Sequence, residues 1–187
     1  MVRSTIQGVH HQGLQALADK IIAEVPATEP ELLEPAGADN VRDEDILAFL
    51  VREGLRPGAA EELTSALRRI WSLARYYYDK GQWDVVREHE TRTFLTMPLL
   101  LALGWAEQQI KIELPVGGNQ RADIACFRRP YRVDGNGNTN DGDCVLILEA
   151  KSFSQGLTYT REQAVRYAEH FPNCRVIVAT NGYCYKT

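Results

Sequence analysis

The stretch Val145-Leu146-Ile147-Leu148-Glu149-Ala150-Lys151 decides how the rest of the chain is read. Four consecutive large apolar residues fit a strand covered on both faces. Such a run does not normally close on a carboxylate and an ammonium group, because burying either is costly unless it is solvated, paired or bound to a metal. In a strand, residues i and i+2 share a face, so Glu149 and Lys151 project together while Ala150 points the other way. A second strand is predicted over Arg121-Ala122-Asp123-Ile124-Ala125-Cys126-Phe127. If the two strands are neighbours, Asp123 lies beside Glu149. Two hard oxygen ligands for Mg²⁺ with a cation next to them suit phosphodiester hydrolysis.

Further pieces lie around these strands in a fixed order: Glu88-His89-Glu90-Thr91-Arg92, Pro98-Leu99-Leu100, Leu103-Gly104-Trp105, Arg121-Ala122-Asp123-Ile124, Glu149-x-Lys151, Gln163 with Tyr167, and Thr180-Asn181-Gly182. In this order the chain resembles the PD-(D/E)XK nuclease superfamily, and most of all the N-terminal nuclease domain of the restriction subunit of type I restriction enzymes. The resemblance covers residues 86–183, and the loop from Arg129 to Asp143 is longer than the family pattern. It implies an α/β, restriction-endonuclease-like fold, with a mixed central sheet flanked by helices and an N-terminal helical extension. The predicted division is 1–82 for the extension with its acidic, proline-rich linker and 83–187 for the nuclease core.

The bulk numbers agree with a globular protein. Of the 187 residues, 44% are apolar and 25% charged, enough for one good core and too apolar for a disordered chain. No apolar run approaches the roughly 20 residues needed to cross a bilayer, so no membrane partner is predicted. Cysteines 126, 144, 174 and 184 lie singly, with no Cys-x-x-Cys, and no signal-peptide core follows Met1. A reduced, cytoplasmic protein with structural cysteines is predicted. The net charge of −4 argues against an indiscriminate nucleic-acid binder, but the imbalance is local. Eight acids stand against Arg42 alone between Glu24 and Asp45, whereas from Glu88 onward eleven acids meet eleven bases.

In chain order, Gln12 to Glu24 has helical spacing (Leu14, Leu17, Ala18, Ile21, Ile22), and Pro26, Pro30, Pro35 and Gly37 then form the linker. His10-His11 reads as a solvated pair, since neighbours i and i+1 do not face one site on a helix. A second helix is predicted from Arg42 to Gly54 with the stripe Ile46, Leu47, Leu50 and Val51. A third runs from Ala59 to Lys80, with Leu63, Leu67, Ile70, Trp71, Ala74 and Tyr78 on or near one face. Tyr76-Tyr77-Tyr78 reads as core at one edge and surface at the other in preference to a base-stacking platform. Asp84 is expected to cap a helix reaching Leu103, bent at Pro98. Gln108 to Pro115 alternates as a strand with Ile110, Ile112 and Leu114 on one side. Arg129 to Asp143 reads as a flexible hairpin insertion; its acids and amides lack the glutamate that closes a Ca²⁺ loop. A helix from Thr158–Thr160 to His170 puts Gln163 and Tyr167 on one face, and Arg175 to Thr180 is the next strand. Tyr183 to Thr187 stops inside what should be a strand, which predicts a domain cut from a longer chain.

The resemblance implies roles for these residues. Asp123 and Glu149 hold Mg²⁺, with Mn²⁺ as a substitute, and the backbone carbonyl of Ala150 is a third ligand. Lys151 positions the attacking water and stabilises developing negative charge. Glu88 holds a second metal or an outer water, with Glu90 the competing assignment because the two cannot share a helix face. Gln163 orients Lys151 or the phosphate. The implied partners are DNA, a helicase or translocase domain on the same natural chain beyond residue 187, and modification and specificity subunits. The rival reading is a catalytically silent nuclease-fold module that binds nucleic acid or docks a partner. Its expected mark is loss of Asp123, Glu149 or Lys151, and all three are present. No G-x-x-x-x-G-K-[ST] phosphate loop occurs. The purified 187-residue chain should therefore neither bind nor hydrolyse ATP, and stoichiometric phosphate release from ATP would overturn this.

Overall fold

The computed structural model of the chain describes residues 41–82, 84–157 and 160–187. The predicted helix over residues 12–24, the linker and His10-His11 lie outside the described residues. Two α-helices come first, α1 (Asp43–Arg52) and α2 (Pro57–Asp79). A helical run follows in three pieces: a single α-turn α3 (Glu88–Glu90), a π-helical segment (Thr91–Thr96) and α4 (Met97–Ala102). The sheet comprises β1 (Ile110–Pro115), β2 (Arg121–Phe127), β3 (Cys144–Ala150), β4 (Val176–Thr180) and the short β5 (Tyr185–Lys186), with α5 (Thr160–Ala168) between β3 and β4.

Strand order is β1-β2-β3-β4-β5. β1, β2 and β3 are antiparallel neighbours, β3 and β4 are parallel, and β5 is antiparallel to β4. The parallel pair requires a crossover, which α5 provides. The protein is thus mixed α/β with a five-stranded mixed sheet flanked by helices. Among the described residues, no helix is long and apolar enough to cross a membrane.

The strand alternation read in the sequence organises both faces. Leu146, Leu148 and Ala150 of β3 pack with Ile124, Val176, Val178 and Leu100 of α4. Ile147 and Cys144 face the other way, with Ala125 and Phe127, against Ala164, Tyr167 and Ala168 of α5. Helices α1 and α2 build a third cluster in which Leu50, Leu63, Leu67 and Ala74 meet Val86, Leu95, Leu99 and Phe153. Residues on either side of the expected 82/83 boundary therefore share one core.

Several predicted details differ. The buried stripe of α1 is Ile46, Phe49 and Leu50, with Val51 42% exposed, because the i, i+3, i+4 set containing the large phenyl ring wins the core. In α2, Tyr77 packs edge-on to Phe153 while Tyr76 is 49% exposed, the divided role expected for that triplet. Asp84 does not cap the next helix. Val85 and Val86 instead form a turn on the Gln82 carbonyl, and Val86 is buried. The helix starts at Glu88, where the Glu90 carboxylate accepts the Arg87 N–H at 3.0 Å. The distortion attributed to Pro98 appears one turn earlier, as the π-helical segment. Proline has no N–H to return to the carbonyl of Phe94, so the preceding turn is free to widen. β1 begins at Ile110 after a 3₁₀ turn (Glu107–Gln109), and its alternation fails in the middle: Leu114 is buried and Ile112 is 49% exposed. The cause is Glu113, whose left-handed φ of 52° turns the strand between them.

The long loop is a hairpin whose neck is closed by Arg128 N–H to the Asp143 carbonyl at 2.8 Å. At its tip the Asp134 carboxylate accepts N–H groups from Asn136 and Asn138, each backbone bond at 2.8 Å. That carboxylate is consumed by its own loop. All four cysteines are free, with Cys126 and Cys144 buried.

The turn after β4 locks the helical run to the sheet. Gly182 has φ 99°, and a Cβ added there would overlap Leu95 Cδ1 and approach Leu95 Cβ at 3.0 Å and Thr91 Cγ2 at 3.1 Å. Gly182→Ala meets both a disfavoured backbone and a filled space, and should cost about 2 to 4 kcal/mol. Urea unfolding checks it; a midpoint equal to that of the unchanged protein would mean that the turn does not sit against the π-helical segment.

Candidate metal centre

The antiparallel register of β2 and β3 runs through Ile124↔Leu148, so one residue further on Asp123 stands opposite Glu149. The two are fixed by each other's strand. Asp123 N–H points at Glu149 Oε2 (3.4 Å), and Ala150 N–H donates to Asp123 Oδ2 at 2.8 Å. On the far side Glu149 pairs in register with Ala179 of β4, a residue small enough to leave the carboxylate room. Ala150 itself points to the opposite face, among Ile124, Leu148 and Val178. What the structure fixes at Ala150 is its amide, bound to Asp123.

The other expected residues converge on this pair from different elements. Lys151 follows β3 directly, and its N–H is held by the Thr180 carbonyl at 2.8 Å. Its Nζ lies 3.7 Å from Glu149 Oε1 and 3.8 Å from Glu88 Oε1. Gln163 on α5 donates from Nε2 to Glu149 Oε1 at 2.6 Å, and the same nitrogen lies 2.8 Å from the Tyr167 hydroxyl. The i, i+4 spacing thus makes one polar ladder from helix to carboxylate. Between Glu88 and Glu90 the structure separates the two: Glu88 faces the site, and Glu90 caps its own helix. Carboxylate oxygens of Glu88, Asp123 and Glu149 lie within 4.8 Å of one another.

Two residues had no assigned role in the sequence. Arg92 donates from Nη1 to Asp123 Oδ1 at 3.1 Å, and both of its terminal nitrogens reach Glu113 Oε1, at 3.4 and 3.3 Å. The signal for Arg92 was present, since it is four residues from Glu88 and so on the same helical face. Glu113 gave none, because a single left-handed residue in a strand leaves no mark in an alternating pattern.

Three carboxylates against two cations in a mostly buried site is electrostatically expensive. Burial pushes the Asp123 carboxyl up to about 6; the Ala150 N–H and the Arg92 and Lys151 charges pull against this, while Glu88 adds to it. Burial, and then the Asp123 charge, push Glu149 up to about 8, with Lys151 and the Asp123 N–H opposing. The residues fit a divalent cation. All three side chains offer hard oxygen, their oxygens lie within 4.8 Å of one another, and a positive ion would favour the charged forms that burial and mutual repulsion oppose. No family model, curated protein or solved structure matches this chain.

The raised carboxyl gives a pH dependence of definite sign. A group whose folded value lies above its unfolded one stabilises the fold in its protonated form. For Glu149 that contribution is complete below its ordinary 4.5 and is lost as pH rises through about 8. In chelator, stability should fall by a few kcal/mol across this window, and Glu149→Gln should flatten the upper half of the curve. Urea midpoints measured at stepped pH read this directly. An unchanged slope in Glu149→Gln would put the titration at another group.

Proposed function

We propose that the chain is a Mg²⁺-dependent endonuclease, with Mn²⁺ as a substitute, that hydrolyses DNA phosphodiester bonds on a restriction-endonuclease-like fold. The observation that carries this reading is the convergence of Glu88, Asp123 and Glu149 within 4.8 Å with the Lys151 ammonium 3.7 Å from Glu149. Support comes also from the order of motifs shared with the nuclease domain of type I restriction subunits. On that likeness we place the chain in a type I-like restriction or defence protein, acting with a helicase or translocase domain and with modification and specificity subunits.

In this reading Asp123, Glu149 and Glu88 hold the ion, with the Ala150 carbonyl completing the set as the resemblance implies. Mg²⁺ there would supply positive charge at the phosphate and lower the pKa of a bound water. The protein's own groups do the rest. The Ala150 N–H and Gln163 Nε2 hold the two carboxylates in place, so little reorganisation is left for the moment of reaction. Lys151 stands between Glu88 and Glu149 as a compact charge, placed to orient the attacking water and to stabilise the negative charge that develops on phosphorus oxygens. The bond that forms joins water oxygen to phosphorus, and the bond that breaks releases one sugar oxygen as an alcohol.

The variants at Asp123 and Lys151 should separate metal binding from chemistry. Mg²⁺ at a hundredfold excess over Kd should raise stability by about 2.7 kcal/mol, seen as a higher melting temperature. Asp123→Asn should melt at the same or a higher temperature without metal, lose most of the metal-induced shift and cut no DNA. Lys151→Ala should keep the shift and still fail to cut plasmid DNA. A shift that survives Asp123→Asn would move the ion elsewhere, and normal cleavage by both variants would sink the assignment. Absence of cleavage by the unchanged chain, with metal binding intact, would favour the silent nucleic-acid-binding module.

A further inference from the structure

Arg92 is held more tightly by the fold than by its hydrogen bonds. Its side chain is 13% exposed, so the guanidinium has given up most of its water. Of its five N–H groups, those engaged point to Asp123 at 3.1 Å and to a single oxygen of Glu113 at 3.3 to 3.4 Å. Nε is buried without a partner among the described residues. Charge-assisted N–H bonds are normally about 2.7 to 2.9 Å, so the Glu113 contacts are loose. Glu113 is also half in water, with its side chain 52% exposed, and its second oxygen is only 3.8 Å from Arg121. Among the described residues it is the one non-glycine with positive φ, at 52°. A strained backbone residue persists where the surrounding structure holds it, and such residues cluster where a ligand is handled.

An arginine fork whose donors are not all used, beside a carboxylate site and covered by a loose, solvent-facing carboxylate, is placed to trade that carboxylate for another anion. We infer that Arg92 takes the substrate phosphate, exchanging the Glu113 carboxylate for a phosphate oxygen while one amino group stays on Asp123. The inference rests on the nuclease reading above and extends it. A backbone phosphodiester matches the fork as well as a carboxylate does and carries the same single charge, so the exchange turns on position: a phosphate held beside the three carboxylates and their ion lies within reach of the fork, and the Glu113 contacts it replaces are long. Arg92 then fixes the phosphate relative to Asp123, and Glu113 is its resting partner, competing with substrate for the same N–H groups.

A purely structural ion pair and a phosphate-exchanging one predict opposite effects at Glu113. The test measures binding of a short fluorescent DNA duplex by anisotropy in Mg²⁺ over a range of salt, in a Lys151→Ala background so that the duplex stays intact. Arg92→Ala should weaken binding about tenfold and make the log–log salt dependence shallower by about one. Arg92→Lys should recover the slope and part of the affinity, since it restores the charge without the fork. Glu113→Gln should bind more tightly than its parent, because the competing carboxylate is gone. If Arg92→Ala does not fold, the other two variants decide. Parental affinity and slope in the Arg92 variants, or weaker binding by Glu113→Gln, overturns the inference while leaving the nuclease reading intact if the unchanged chain cuts DNA. An unchanged chain that neither binds nor cuts DNA overturns the nuclease reading and this inference with it.

Discussion

Asp123 and Glu149 occupy facing positions on β2 and β3, and each carboxylate accepts an N–H from the other's strand. Much of the surrounding structure is explained by that pair. Two like charges side by side, one of them 9% exposed and the other 2%, raise the energy of the folded state unless something neutralises them. Burial pushes both carboxyls up, with the Glu88 charge adding to it at Asp123 and the Asp123 charge at Glu149, so protons neutralise the pair in part. Basic and amide groups do the rest, and they come from elements far apart in sequence: Lys151 from the end of β3, Gln163 from α5 and Arg92 from the helical run before the sheet.

Bringing those groups together explains features that would otherwise look like defects. The π-helical segment lies where Glu88 and Arg92 must both reach the sheet end while Leu95 and Leu99 stay in the core beneath α2. Pro98 makes that distortion inexpensive by removing the N–H that would enforce a regular turn. Gly182 lets the β4–β5 turn press against Thr91 and Leu95, so the segment is clamped from the sheet side as well. The last residue of β4, just before that turn, fixes Lys151, whose backbone N–H donates to the Thr180 carbonyl. Three apolar clusters, one on each side of the sheet and one under α1 and α2, provide the stability that the polar end lacks.

How much of this was legible depends on the range of the interaction. The strands carrying Asp123 and Glu149, and the helical ladder of Gln163 and Tyr167, were readable because periods of two and of 3.6 residues are local. The choice between Glu88 and Glu90 was not local. It turned on which carboxylate the Arg87 N–H captured, and therefore on where the helix starts. Asp84 looked like the better cap, but burying Val86 in the core pulls the chain into a turn and moves the cap three residues on, to Arg87. Arg92 was readable in position and not in partner, because Asp123 lies 31 residues away. Glu113 was hidden altogether. Its left-handed backbone results from tertiary constraint and not from any preference of glutamate.

The two cations at the site are not interchangeable, and the difference follows from their chemistry. Lys151 stands 3.7 and 3.8 Å from two carboxylates, too far for a good hydrogen bond to either and close enough for attraction to both. A compact ammonium on a flexible stem suits that position, since it can turn toward whatever negative charge arrives. Arg92 bonds Asp123 and reaches Glu113 more loosely at the same time, which needs a planar fork. An arginine at position 151 would be drawn into a fixed pair with Glu149 and fill the space between the carboxylates. A lysine at position 92 could meet Asp123 or Glu113 but would hold neither in plane. In this arrangement the point charge sits where charge changes, and the fork sits where geometry must be kept.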